Sequence, residues 1–187
     1  MLEARRAKRD ATNRFKGDVC YDIYDAEAKI GALVYDAKSE SATLDVRGQA
    51  FSAARERERQ HEVPWQFVLR KLSGGQKPPV NPVLLKDASG AVLAQAESKG
   101  AAGWLVARGD EAFELRRRSL FSGLYDLYRQ GQSQALGAVG EGAFLKAPLQ
   151  VDLPNEFDEL FQVFAIALYT DLTVVAANDD GGASGYG

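Results

Sequence analysis

Arg116, Arg117 and Arg118 form the longest unbroken run of cationic residues in the chain. A guanidinium carries a planar fork of N–H donors that matches a phosphate or carboxylate, so the chemistry open to such a run is anion recognition. The run closes the segment Glu114-Leu115-Arg116-Arg117-Arg118-Ser119. Read as a strand, its alternation puts Arg116 and Arg118 on one face and Arg117 on the face of Phe113 and Leu115. Arg116 and Arg118 are therefore candidate ligand-binding residues for a phosphate or an anionic lipid headgroup. The competing reading is a solvated strand face whose charge discourages edge pairing. Arg117, turned toward the core unless the strand ends or bulges first, needs an acidic partner when inward, because an unpaired buried charge is costly. Asp171, set in an apolar run, must either reach the barrel mouth or pair with an inward base. Arg117 and Asp171 are the expected buried pair.

The other reactive residues point away from catalysis. His61 is the single histidine and sits in the charged stretch Arg57-Glu58-Arg59-Gln60-His61-Glu62. With one histidine and one cysteine there is no zinc site of the usual Cys/His kind. Cys20, between Val19 and Tyr21, reads as a buried structural thiol, and a lone cysteine suits a reducing compartment. No P-loop, nucleophile elbow or His-Glu-x-x-His occurs. Gly137-Ala138-Val139-Gly140-Glu141-Gly142 is followed by strand-like Ala143-Phe144-Leu145 rather than a helix, so it reads as a hairpin turn and not a phosphate loop. Arg108-Gly109-Asp110 reads as a tight turn. Asp179 and Asp180 lie far from Asp152 and Glu156 and make no cation cage. No enzyme, cofactor or metal is expected.

The element that must position these residues is the apolar stretch Leu153 to Ala177. From Leu160 onward its polar residues are Gln162, Thr170, Asp171 and Thr173 alone. A helix apolar on every side is buried on every side. Pro154 suits its first turn, and Glu156, Asp158 and Glu159 suit the positive end of the dipole. The reading is one helix over 154–177, stopped by Asp179, Asp180, Gly181 and Gly182. A membrane span is the rival. Both flanks are acidic and no Lys or Arg follows Lys146, so basic anchors are missing. No transmembrane span is expected.

Between Val19 and Lys146 the chain reads as about twelve short strands separated by turn signals. They include Val19–Tyr24, Lys29–Tyr35, Ala42–Arg47, Phe51–Arg57, Trp65–Lys71, Ala112–Arg117 and Ala143–Lys146. Trp65-Gln66-Phe67-Val68-Leu69-Arg70 alternates cleanly, and Ser73 to Pro82 reads as a connector. The two halves echo each other. Asp25 opens a turn and Arg47-Gly48 follows 22 residues later; Asp87 opens a turn and Arg108-Gly109 follows 21 residues later. Repeated hairpins must bury their apolar faces on something, and a sheet closed around one apolar helix does this while removing its edges. The fold class is all-β with one helix: an antiparallel closed barrel of about twelve strands around a central hydrophobic C-terminal helix.

This order of elements resembles the tubby C-terminal-domain-like superfamily, which includes phospholipid scramblases and LURP-one-related proteins. The residues that carry the resemblance are Leu85 to Ala94, Trp104, Phe113-Glu114-Leu115-Arg116-Arg117, Tyr125-Asp126-Leu127-Tyr128, Leu136-Gly137 and the helix from Pro154. The likeness spans roughly residues 19–178. It implies a twelve-stranded barrel around a central C-terminal helix. The chain departs from the scramblase pattern in lacking a cysteine-rich palmitoylation tract and a calcium-ligand loop.

The chain divides into a basic segment 1–18, expected to be disordered or a short helix, a barrel over 19–178, and a Gly-rich flexible tail 179–187. Six bases lie in the first segment, while residues 151–187 carry seven acids and no base. A net charge of −3 gives no case for nucleic acid. The expected function is a non-enzymatic binding or scaffolding module, cytoplasmic or membrane-peripheral, for an anionic lipid or a protein partner. A structural subunit of a larger assembly is the alternative, and an enzyme of unrecognised type is the third.

Overall fold

The computed structural model describes residues 1–7, 18–56, 82–99, 102–119, 122–141 and 148–181, the side chains of the last stretch as far as Val174. The expected strands Trp65–Lys71 and Ala143–Lys146, the Ser73–Pro82 connector up to Asn81, His61 and the tail from Gly182 lie outside these residues.

Twelve strands among the described residues form one closed antiparallel barrel: β1 (Leu2–Arg6), β2 (Val19–Asp25), β3 (Ala28–Asp36), β4 (Ser41–Val46), β5 (Gln49–Arg55), β6 (Val83–Asp87), β7 (Val92–Ser98), β8 (Gly103–Arg108), β9 (Glu111–Arg117), β10 (Leu124–Arg129), β11 (Ala135–Glu141) and β12 (Leu149–Asp152). Each strand pairs with the next in sequence, and β1 pairs with β12 to close the ring. No strand among them is left with a free edge, which removes the template for edge-to-edge association. Inward residues follow the period of two: Ala42, Leu44 and Val46 on β4, Phe113 and Leu115 on β9, Leu149 and Val151 on β12 are buried.

One helix, α1 (Glu159–Gly181), fills the barrel. Every residue from Phe161 to Asp171 is buried, as an all-round apolar helix requires. Three neighbouring strands reach it through aromatic side chains. The Trp104 indole N–H on β8 donates to the Leu168 carbonyl at 3.1 Å. Phe113 on β9 packs edge-on against Phe161, and Tyr125 on β10 against Tyr169. The two threonines of α1 bond back to the helix itself: Thr170 Oγ1 donates to the Ile166 carbonyl, and Thr173 Oγ1 to the carbonyls of Tyr169 and Thr170. Among the described residues no helix is long and apolar enough to cross a membrane.

Three expectations change. Residues 2–6 are a barrel strand, not a helix or a disordered tail. Leu2 and Ala4 point inward between β2 and β12, while Arg5 bonds to Glu3 on the outer face and Arg6 is exposed at the strand end. The helix begins at Glu159 rather than Pro154. Pro154 to Phe157 make a turn closed by the Phe157 N–H on the Pro154 carbonyl, and Asp158 caps the helix by accepting from the Phe161 N–H at 2.8 Å. At its other end α1 runs through Asp179 and Asp180 to Gly181.

Candidate functional site

The mouth where α1 begins is built from hairpin turns and two consecutive acids. The β4–β5 turn has two central residues, Arg47 and Gly48, both at positive φ (51° and 77°), as a tight hairpin matched to strand twist requires. Gly48 adopts that conformation freely, whereas Arg47 does so against its side chain. What Arg47 gains is a two-pronged contact: Nε and Nη2 each donate at 2.6 Å to the Glu159 carboxylate at the start of α1. The corresponding turn in the second half also brings an arginine to the helix start, from the last residue of β8 ahead of the central Gly109 and Asp110. Arg108 Nη2 donates to Asp158 Oδ2, and its guanidinium lies over the Phe161 ring. The two Arg-Gly turns that mark the internal repeat thus hold the two neighbouring acids of the helix start. The Arg47 hydrogen bond keeps the Glu159 carboxyl below its ordinary pKa.

A cleft of about 700 Å³ opens beside this anchor. Leu2, Phe51 and Leu160 give it apolar walls, and Asp25, Arg47 and Glu159 line it with charge. Gln162 also lines it and is 8% exposed. Its Nε2 donates to the Phe157 carbonyl at 2.9 Å, while its Oε1 is buried without a partner among the described residues. A buried polar atom left unpaired costs about 1–3 kcal/mol, so this acceptor is an uncommon feature for a wall of a cleft.

Asp171 lies deeper along α1, 3% exposed. Its partner is Arg55, not Arg117. Arg55 Nη2 donates to Oδ2 at 2.5 Å, and the Tyr35 hydroxyl donates to Oδ1 at 2.5 Å. Glu40 sits 2.8 Å from Arg55 Nε but off the N–H direction, an ion pair without an aligned hydrogen bond. The Arg55 guanidinium also faces the Trp104 ring. Burial, and then the Asp171 hydrogen bond, push the Tyr35 hydroxyl above its ordinary pKa.

Arg117 is the last residue of β9. Its register partner Tyr125 is buried, yet at the strand end Arg117 turns out to solvent and donates to the Ser122 carbonyl at 3.3 Å. The parity was sound; the strand simply ends before it can bury the side chain. Arg55 was available to the same argument, since it shares the parity of buried Ala53 on β5. Arg116 and Arg118 do lie on one outward face, and each is matched by an acid of the chain. Arg116 donates to Glu114 at 2.6 Å and lies over the Tyr128 ring. Arg118 grips both oxygens of Asp126, its Nη2 at 2.6 Å from Oδ1. Cys20 is half-buried and shares the outer face with its register partner Val34, so it is not the enclosed thiol expected. Among the described residues no group of three His, Cys, Asp or Glu side chains is placed to hold a metal ion.

Comparisons with protein-family models, with curated proteins and with solved structures find no match for this chain.

Proposed function

We propose that the barrel is a non-enzymatic binding module that takes a small ligand in the cleft beside the start of α1. The observation that carries this is the pairing of an apolar-walled hollow with a charge cluster already tied up in ion pairs. At about 700 Å³ the cleft falls in the size range of ligand pockets, ~300–1,000 Å³. The two acids at the helix start are engaged: Glu159 is held ionised by Arg47, and Asp158 caps the helix and meets Arg108. Such fixed groups shape and orient a guest, while acid–base catalysis asks for a group poised near the working pH.

An anionic headgroup on Arg116 and Arg118 would have to displace Glu114 and Asp126, which the cleft does not ask of its ligand. The order of a meander of strands followed by a central helix supports kinship with the tubby-like superfamily, as part of this proposal. Its single cysteine favours a cytoplasmic setting.

The test is ligand-observed NMR with a mixture of small apolar alcohols, amines and carboxylic acids, on the full chain and on Leu160→Trp, which fills the cleft. At least one compound should bind the full chain and lose binding in the variant, whose melting curve reports that it still folds. A mixture in which nothing binds, or in which binding survives the filled cleft, sinks the reading.

A further inference from the structure

We infer that Arg47 is a movable partition that sets the room in the cleft; this rests on the cleft being the binding site. Its side chain stands between two hollows. On one side is the cleft, with Glu159 in its wall. On the other, against β3 and β4, is a second hollow of about 600 Å³, lined by Ile30, Gly31, Asp45 and Arg47 itself. Among the described residues the tip of Arg47 is hydrogen-bonded to Glu159 alone, and the side chain is 62% exposed. An ion pair so open to water is weak enough to part and reform.

The second hollow holds an acid within reach. Asp45 precedes Arg47 by two residues, the spacing at which Arg5 bonds to Glu3 and Arg116 to Glu114. Asp45 Oδ1 accepts from the Gly48 N–H at 3.1 Å, which aims the carboxylate at the turn and leaves Oδ2 with no hydrogen bond among the described residues. Lys29, the other cation of this hollow, is paired with Asp22 at 2.6 Å. Arg47 therefore has two seats, Glu159 beside the cleft and Asp45 in the second hollow. Passing between them takes rotations about side-chain bonds and leaves the backbone of the turn in place. In the first seat the stem and guanidinium narrow the cleft; in the second they leave it. The Asp25 charge also acts on Arg47 from the cleft side, so the Glu159 fork is the resting seat.

The reading without ligand is the Arg47 Nε–Hε resonance of the isotope-labelled full chain. Glu159→Ala should move it, and adding Asp45→Asn should move it again, toward the position of a free arginine. For the cleft the probes are n-hexanol and the bulkier 1-adamantanol. Glu159→Ala should tighten 1-adamantanol about two- to fivefold, the weight of one exposed ion pair, and change n-hexanol less. Adding Asp45→Asn should take back that gain. Melting curves report folding, and Glu159→Gln, a milder release of the fork, should act in the same direction. An Arg47 signal in Glu159→Ala that ignores Asp45→Asn overturns the inference, because the side chain then has no second seat. Binding of 1-adamantanol with equal affinity to all of these chains overturns it too and leaves the cleft standing as a binding site. If Arg47 changes seats while neither alcohol nor any compound of the broader mixture above binds, the partition stands and the cleft reading falls.

Discussion

Arg55 Nη2 donates a 2.5 Å hydrogen bond to Asp171 Oδ2 and so ties β5 to the last enclosed turn of α1. Removing one member of a buried pair strands the other, typically at ~3–5 kcal/mol, whereas replacing both with apolar groups is often close to neutral. Asp171→Leu should be the worst single change, because it strands both Arg55 and the Tyr35 hydroxyl. Arg55→Met should cost less, since that side chain reaches water in part and meets Glu40 as well. The triple variant Asp171→Leu, Arg55→Met, Tyr35→Phe should recover much of the loss in urea unfolding. Strict additivity of the three effects would show that the groups are not coupled.

The enclosed helix makes a second prediction. Phe164 is fully buried, on the face of α1 that also carries Phe161 and Leu168. Phe164→Ala should cost ~3–5 kcal/mol through lost burial and the cavity left behind. A loss below ~1 kcal/mol would mean that the helix interior collapses freely, which a closed barrel does not allow.

What the sequence disclosed depended on whether a rule of local chemistry reached the end of its element. The apolar run after Leu160 announces a buried helix, and the strand periods from Val19 to Ala138 announce a barrel. β1 and β12 went unread for a physical reason. Leu2-Glu3-Ala4-Arg5-Arg6 and Leu149-Gln150-Val151-Asp152 are short and half polar, and what makes them strands is their pairing with each other and with β2 and β11. Tertiary pairing of that kind leaves little local signal. The same holds at the site. The repeat of Arg47-Gly48 and Arg108-Gly109 was visible as turn chemistry, but that both arginines meet the helix start is a property of the closed ring. Parity puts Arg117 on the core face only if the strand continues, and β9 ends at that residue, which local sequence does not announce.

Acid sensitivity should trace in part to Glu159. The Arg47 hydrogen bond lowers its pKa in the folded chain below the ordinary value of 4.5. A group depressed by folding contributes stability that is present above its unfolded pKa and is lost as the pH falls through the folded one. The contribution is therefore complete at neutral pH and fades below 4.5. Glu159→Gln should lower the urea midpoint at neutral pH and flatten its fall in that acid window. An identical slope in both proteins would mean that the Arg47 contact does not persist in solution.

The alkaline limb should carry the opposite sign. Burial, with the Glu141 charge adding to it, pushes the Tyr169 hydroxyl from 10.0 up to about 12. A raised pKa means that the folded chain holds its proton more tightly, so this stability is whole below 10.0 and lost as the pH rises toward about 12. Tyr169→Phe should make the denaturation midpoint fall less steeply over that range. In an ultraviolet titration of the native protein, the variant should lose absorbance change from the late-ionising phase and keep the early one. Loss from the early phase instead would place Tyr169 at the surface.

Closure of the barrel rests on β1, which is the stave between β2 and β12. Deleting residues 1–7 removes the buried Leu2 and Ala4 and every β1 hydrogen bond. It also converts β2 and β12 into open edges, each a row of unpaired donors and acceptors that recruits another chain. The truncated protein should melt well below the full chain and grow in size with concentration by light scattering. A synthetic peptide of residues 1–7 added in excess should reverse the association by filling the gap. If β1 were an ornament on an otherwise complete sheet, the truncated chain would stay monomeric with an unchanged melting temperature, and the peptide would have no effect. The choice between these outcomes turns on backbone pairing alone, so Arg5→Glu, which leaves β1 in place and changes only an outward charge, should behave like the full chain in both measurements.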